Sequence, residues 1–179
     1  HWTRQWSDLN ARVSEIEQRL YVLTSANTAD DEAERALNRF LEEVFPSTRS
    51  AEQKLKEKLL ASGCAPGQFE VPLRNLKSEA ELFRPEVVPL EAEEQRLGME
   101  FDQIVGAQTI LWNGEESTPA KVATELDNPD RETRRRAFEA IASRKLEDRD
   151  KIAALWKRFL DNRLSQARAA GFGDDYRAY

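Results

Sequence analysis

Apolar residues at Trp2, Trp6, Leu9, Val13, Ile16, Leu20 and Leu23 recur in alternating steps of four and three. That is the seam of a helix lying along a neighbouring helix with coiled-coil spacing. The polar run from Thr24 to Asp31 ends it, and Asp30 is placed to cap a second helix with Leu37, Phe40, Leu41, Val44 and Phe45 on one side. Pro46 is expected to stop this helix, and the pair to form an antiparallel hairpin. A third, more polar helix is predicted from about Ser50 to Ala61, with Leu55, Leu59 and Leu60 inward, ending at Ser62-Gly63 and a Pro66-Gly67 turn.

From Phe69 the spacing of Leu73, Leu76, Ala80, Leu82 and Phe83 stays helical until Pro85 breaks it. Pro89 suits the start of a helix carrying Leu90, Leu97, Phe101, Ile104 and Val105 as far as Gly106. The period then changes from helix to strand. Thr109 to Trp112 and Glu115 to Ser117 flank Asn113-Gly114, a pair that tolerates positive φ at both central positions and so suits a type I′ hairpin turn. Thr118-Pro119 combines a capping hydroxyl with a helix-starting proline, and Val122 and Leu126 supply one apolar face; Asn128-Pro129 reads as the same device again. Ala137, Phe138 and Ile141 mark the next helix. After a polar break around Leu146 to Asp150, the last helix carries Ile152, Leu155, Trp156, Phe159, Leu160, Leu164 and Ala167, with Gly171 as a left-handed stop against which Phe172 folds back. The expected fold class is all-α: a multi-helix lobe, about three quarters helix against the usual third, with one short β-hairpin near 109–117. Two parts are expected, a helical hairpin plus third helix over 1–68 and the remaining helices with the β-hairpin over 69–179.

Composition narrows what such a lobe can do. The 179 residues include 40% hydrophobic and 34% charged positions, which suits a folded chain, and only 7 glycines and 7 prolines, which disfavours repetitive β architectures. The net charge of −6 opposes binding to nucleic acid and to anionic membranes. No apolar run approaches a membrane span, and no signal peptide opens the chain. The single cysteine, Cys64, has no internal partner and fits a reducing compartment, so a cytoplasmic location is expected. Since His1 is the only histidine, no two-histidine metal site and no Ser-His-Asp or Cys-His catalysis can be assembled; no Walker loop or GxGxxG cradle is present. No catalytic or metal-binding residue is therefore assigned, no cofactor is expected in this chain, and substrate contacts stay open. Opening at His1 inside a helical pattern, the chain reads as a piece of something longer.

Four features invite a functional reading, and each has a plainer one. Arg131, Arg134, Arg135 and Arg136 could form a phosphate patch, but they spread around a helix beside Asp127, Asp130, Glu132 and Glu139, so a solvated or ion-paired face is expected. Glu91, Glu93, Glu94, Glu100 and Asp102 lack calcium-loop order and read as a solvated face. Of the tryptophans that could line a peptide groove, Trp2, Trp6 and Trp156 lie on apolar helix stripes and are expected in the core, leaving Trp112 at the hairpin turn as the candidate for exposure. Cys64, without a neighbouring histidine, reads as a half-buried filler.

The second half carries a family resemblance. Phe101-Asp102-Gln103-Ile104-Val105-Gly106-Ala107-Gln108-Thr109, the hairpin Trp112-Asn113-Gly114-Glu115-Glu116, the stretch from Asp130 to Ala137, and Arg163 followed by Ala167, Gly171-Phe172 and Tyr176 together resemble the N-terminal region of oligoendopeptidase F, a thimet oligopeptidase-like group. Residues 2–45 are compatible with that family's leading helices. The resemblance implies a zinc metalloendopeptidase, largely helical, whose deep channel admits short peptides and excludes folded proteins. It also implies that zinc is held by a later HExxH helix and a downstream glutamate, and none of those residues exists here. The resemblance thus implies a non-catalytic lobe that walls the channel, partnered by its own C-terminal catalytic domain, with zinc in the parent enzyme and the tail after Gly171 as a hinge or connection. The competing reading is a stand-alone helical interaction or scaffold module whose seam over residues 2–23 pairs with another chain.

Overall fold

The computed structural model describes residues 2–64 and 67–179, so His1 and Pro66 of the expected Pro66-Gly67 turn lie outside the described residues. Helix accounts for 79% of what is described. The chain forms two compact units, one comprising residues up to Arg96 together with Phe159–Tyr179, the other Leu97–Arg158. The expected division at 68/69 differs from this one. Its boundaries fall within two uninterrupted helices, α5 (Val88–Gly106) and α8 (Arg149–Ala170), and a period that continues without a break offers no boundary to read from sequence.

In the first unit α1 runs Trp2–Ala26. Asp30 caps α2 (Asp31–Arg39), its carboxylate accepting from the Glu32 and Ala33 amides at 3.0 Å each. Contrary to expectation, Pro46 does not end the rod. A π-helical turn, Phe40–Val44, leads straight into α3 (Phe45–Ala61), whose first turn contains the proline. The wide turn gives the pyrrolidine ring room away from the carbonyl four residues back, which an α-turn would not. Inserting one residue also rotates the register: Phe45 is buried while Val44, expected beside it, is 39% exposed. Leu37 and Leu41, both 1% exposed, sit at the centre of the face that buries Ala33, Phe40 and Phe45, each contributing about 2 kcal/mol by burial.

A 3-10 turn (Gly67–Phe69) leads into α4, Glu70–Leu82. It ends where Phe83 turns extended (φ −60°, ψ 130°) two residues before Pro85, as expected from the bias against αR ahead of proline. Helix α5 spans Val88–Gly106 and α8 spans Arg149–Ala170. Beyond α8, Gly171 (φ +92°) lets the Phe172 amide donate back to the Ala167 carbonyl at 2.8 Å, and the Phe172 ring lies 5.7 Å from that of Tyr179.

The seam of α1 divides. Trp2, Trp6, Val13 and Leu20 are half-buried, with Trp2 stacked on Trp6 at 6.2 Å and Lys58 of α3 lying 5.0 Å over the Trp2 ring. Leu9, Ile16 and Leu23 are 57%, 52% and 55% exposed. Helix α1 therefore packs through the Trp6, Val13 and Leu20 positions and the polar ones beside them, Asn10, Glu17 and Thr24, rather than along the whole apolar seam.

In the second unit, β1 (Ile110–Trp112) pairs antiparallel with β2 (Glu115–Ser117) in the register Ile110 to Ser117, Leu111 to Glu116 and Trp112 to Glu115. Asn113 at φ +51° and Gly114 at φ +88° form the expected type I′ turn. Thr118 caps α6 (Pro119–Ala123), accepting from the Lys121 amide at 3.2 Å, and a 3-10 turn (Thr124–Asp127) follows, leaving Leu126 38% exposed. The next cap is Asp130, not Asn128: its carboxylate accepts from the Thr133 amide and hydroxyl at 2.9 and 2.7 Å to open α7, Arg131–Glu147. Ile110, Val122 and Ala137 form this unit's core, with Trp112, Ala140 and Ile141 packed against it. Phe138, expected inward, is 66% exposed, because one residue on from Ala137 turns about 100° around the helix.

Candidate functional site

The buried face of the α2–α3 rod changes character along its length. Beyond Phe45, Leu55, Leu59 and Leu60 are half-buried as expected, but the buried positions are the polar Gln53 and Lys56, with Arg49 and Glu52 half-buried beside them. These four polar side chains, with Glu79, Arg84, Val87, Glu91 and Tyr179, line a cavity of about 390 Å³ in the first unit.

Lys56 and Arg49 in this cavity are each paired with a carboxylate of another helix. Lys56 Nζ is 2.7 Å from Glu79 of α4 and 3.5 Å from Glu52 one turn back. Gln53 Nε2 donates to the Ala80 carbonyl at 3.2 Å and to Glu57 at 2.8 Å. Arg49 stacks over the Phe45 ring at 5.1 Å and places Nε 3.2 Å from Glu91 of α5. Burial pushes the Glu91 carboxyl above its ordinary range, with Arg49 opposing the shift. Burial likewise raises the Tyr179 phenol, helped by the negative charges of Glu91 and Glu94.

In the acidic run expected to be solvated, Glu91, Glu93, Glu94 and Glu100 are half-buried and ion-paired. Glu94 accepts from Gln166 at 2.7 Å and from Arg163 of α8, and Asn162 donates to the Leu90 carbonyl at 2.9 Å. Arg96 reaches Glu42 at 3.2 Å and Asn38 at 3.4 Å, and Gln95 donates to Glu17 of α1 at 3.3 Å. Helix α5 thereby ties α1, the α2–α3 rod and α8 together through polar contacts. One signal of the polar inward positions existed in the sequence: Arg49, Gln53 and Lys56 continue the run Leu37, Leu41 and Phe45 in steps of four, four and three.

In the second unit the polar centre is Asp148, 4% exposed at the junction of α7 and α8. Arg144 donates to it at 2.7 Å, the buried Gln108 at 3.1 Å, and Lys151 at 3.1 Å, and in that order these bonds hold its pKa down to about 2. Of the arginine run, Arg135 is ion-paired as expected, while Arg134 and Arg136 bond neutral groups. Arg134 donates to the Asn128 and Pro129 carbonyls, Arg135 pairs with Glu132 and Glu139, and Arg136 donates to Asn113 and lies 5.0 Å over Trp112.

Two tryptophan expectations invert. Trp112 is half-buried beneath Arg136, whereas Trp156 is 60% exposed, since the α8 positions that bury are Leu155, Asn162, Gln166, Ala167 and Ala170. Cys64 is exposed rather than half-buried, because Gly63 (φ +64°) turns the chain out of α3. It lines an apolar groove with Trp6, Leu59, Phe69, Leu73 and Leu76.

Chemically, the charged cavity can hold polar groups of either sign, but it brings no nucleophile to a base. Among the described residues no three His, Cys, Asp or Glu side chains gather to hold a metal. No described helix is long and apolar enough to cross a membrane.

Comparison with solved structures places this geometry. An oligoendopeptidase F structure superposes with a TM-score of 0.84 at 21% identity, covering 95% of this chain and 31% of that one. The fold is an oligoendopeptidase F fold. A Pz peptidase A bound to an inhibitor superposes with a TM-score of 0.75 at 24% identity over 87% of this chain and 28% of that one. An oligoendopeptidase F from Bacillus anthracis strain Ames gives 0.70 at 20% identity, covering 86% and 29%. This chain therefore spans about 30% of the length of the structures it matches. No family model and no curated protein matches the sequence.

Proposed function

We propose that residues 1–179 are the non-catalytic helical lobe of a cytoplasmic, oligoendopeptidase F-like zinc metalloendopeptidase, where they wall the channel that receives short peptides. The observation that carries this is the superposition over 95% of the chain onto less than a third of an oligoendopeptidase F, together with the absence of a metal donor set among the described residues. On this reading zinc and the water-activating glutamate belong to the rest of the longer chain, the lobe's partner is that catalytic domain, and short peptides reach the lobe only as substrates of the assembled enzyme. Joining the lobe to its catalytic region should yield chelator-sensitive cleavage of short peptides with folded proteins spared. Unchanged activity and size selection after deletion of the lobe would refute the role.

A second reading, a stand-alone helical interaction module, is favoured by one observation: Leu9, Ile16 and Leu23 are each more than half exposed at heptad spacing. It predicts a concentration-dependent dimer of the 179-residue chain in sedimentation, where the lobe reading predicts a monomer.

A further inference from the structure

A channel wall has no use for a cavity of about 390 Å³, a volume within the ~300–1,000 Å³ typical of small-molecule sites. Its floor is closed by the buried side chains of Gln53, Lys56, Val87 and Val88, and its mouth is open, since Glu79, Leu82 and Arg84 are exposed. A small molecule entering at the mouth meets polar groups sheltered from water, where a hydrogen bond is worth most.

The lining selects the ligand's charge. Arg49, Lys56 and Arg84 balance Glu52, Glu79 and Glu91, while Leu82, Phe83, Val87 and Val88 form an apolar wall. A balanced set offers little net attraction to an ion of one sign, and among the described residues no three His, Cys, Asp or Glu side chains gather to hold a metal. A molecule carrying both signs finds a partner for each.

The two signs stand side by side at Arg49 and Glu91, and that pair is incompletely bonded. Arg49 Nε is buried and makes no aligned hydrogen bond, although a Glu91 oxygen lies 3.2 Å away, and its Nη1 is 4.0 Å from Glu52. The buried Phe45 ring, 5.1 Å from the guanidinium, steadies a donor fork whose geometry suits a carboxylate. Beside it, burial keeps the Glu91 carboxyl above its ordinary range in spite of Arg49, as befits a carboxylate short of positive charge. Lys56 is committed to Glu79 and Glu52, at 2.7 and 3.5 Å. An ammonium beside Glu91 would make up the deficit. A carboxylate and an ammonium on one carbon, with a side chain for the apolar wall, describe an α-amino acid.

We propose that this cavity binds a free α-amino acid with a large apolar side chain, its carboxylate on Arg49, its ammonium on Glu91 and its side chain against Leu82, Phe83 and Val87. The site uses only residues of this chain, so it stands whether or not the chain belongs to a peptidase.

Titration of the 179-residue chain with L-phenylalanine, followed by calorimetry and by melting temperature, should show saturable one-to-one binding and a rise in melting temperature. Hydrocinnamate, which lacks the ammonium, and phenethylamine, which lacks the carboxylate, should each bind at least about tenfold more weakly, as should glycine, which lacks the apolar side chain. Arg49→Gln and Glu91→Gln should each weaken L-phenylalanine by about tenfold or more, with folding of both variants checked by circular dichroism. The analogues probe the two charges on the unaltered protein, so they decide the matter where a variant fails to fold. No saturation by L-phenylalanine up to its solubility limit would overturn the proposal. So would singly charged analogues that bind as tightly as the amino acid, or undiminished binding by folded Arg49→Gln, which would put the ligand elsewhere on the chain.

Discussion

The two units solve the same problem, holding helices together, with opposite distributions of charge. In the first, polar contacts are spread over many helix pairs: Lys56 to Glu79, Arg49 to Glu91, Glu94 to Gln166 and Arg96 to Glu42. In the second they converge on one buried carboxylate, Asp148, which receives three donors. The dispersed network surrounds a cavity in which burial lifts the pKa of Glu91 against the pull of Arg49; the convergent one is closed and depresses that of Asp148. The lesson is that burial alone does not set a carboxylate's behaviour: the number of donors aimed at it decides the sign.

The largest expected effect tests whether the first unit depends on its apolar centre more than on its charges. Leu41→Ala should cost about 3 kcal/mol in urea unfolding, against about 0.5 kcal/mol for replacing an exposed partner such as Glu42 by Ala. A polar substitution as costly as the apolar one would break the contrast. In the second unit, Gly114→Ala forces a Cβ at φ +88° and should cost about 1–2 kcal/mol, read by thermal unfolding. Gly98→Ala, within α5 and with open space around the added Cβ, should instead stabilise by about 0.5–1 kcal/mol.

The pH dependence sharpens the comparison. Asp148 has a folded pKa of about 2 against 3.8 for the free side chain, so the native state binds fewer protons in that window. Its contribution is fully present above about pH 4 and is lost as pH falls toward 2. Asp148→Asn should flatten the acid limb of a stability profile across that interval, whereas a limb identical to that of the unaltered chain would show that the three donors do not act through its charge. Glu91 runs the other way. Its raised pKa means that the native state holds the proton longer, so stability declines as pH rises from about 4.5 through the folded value. The smallest effect follows: Glu91→Gln should shift stability at pH 7 by about 0.5 kcal/mol and remove that decline, followed by denaturation at pH 4, 5.5 and 7.

Most elements were legible because their signals are local. Asp30 and Thr118 as caps, Pro85 as a break, Asn113-Gly114 as a turn and Gly171 as a stop each act through the backbone of three or four residues, and all are observed. The charged cavity was not legible. Whether Lys56 or Glu91 faces water depends on α4, α5 and α8 arriving beside α3, and a polar residue at an inward position looks in sequence like a polar residue at an outward one. Phe138 and Trp156 failed for the reciprocal reason: apolar character shows that a residue can be buried, not that a neighbour is present to bury it.

By itself the sequence determined the helical class, the hairpin with its turn, nearly every stop and start, and the absence of a histidine-based metal site, since these follow from backbone preferences and from inventory. Only the tertiary structure decided that Pro46 sits inside a continuous rod, that the rod's register advances by one across the π-turn, and that half of the first helix's seam stays open. Those outcomes depend on which surfaces meet, and a one-residue rotation, which a helix accommodates at little local cost, changes every contact beyond it.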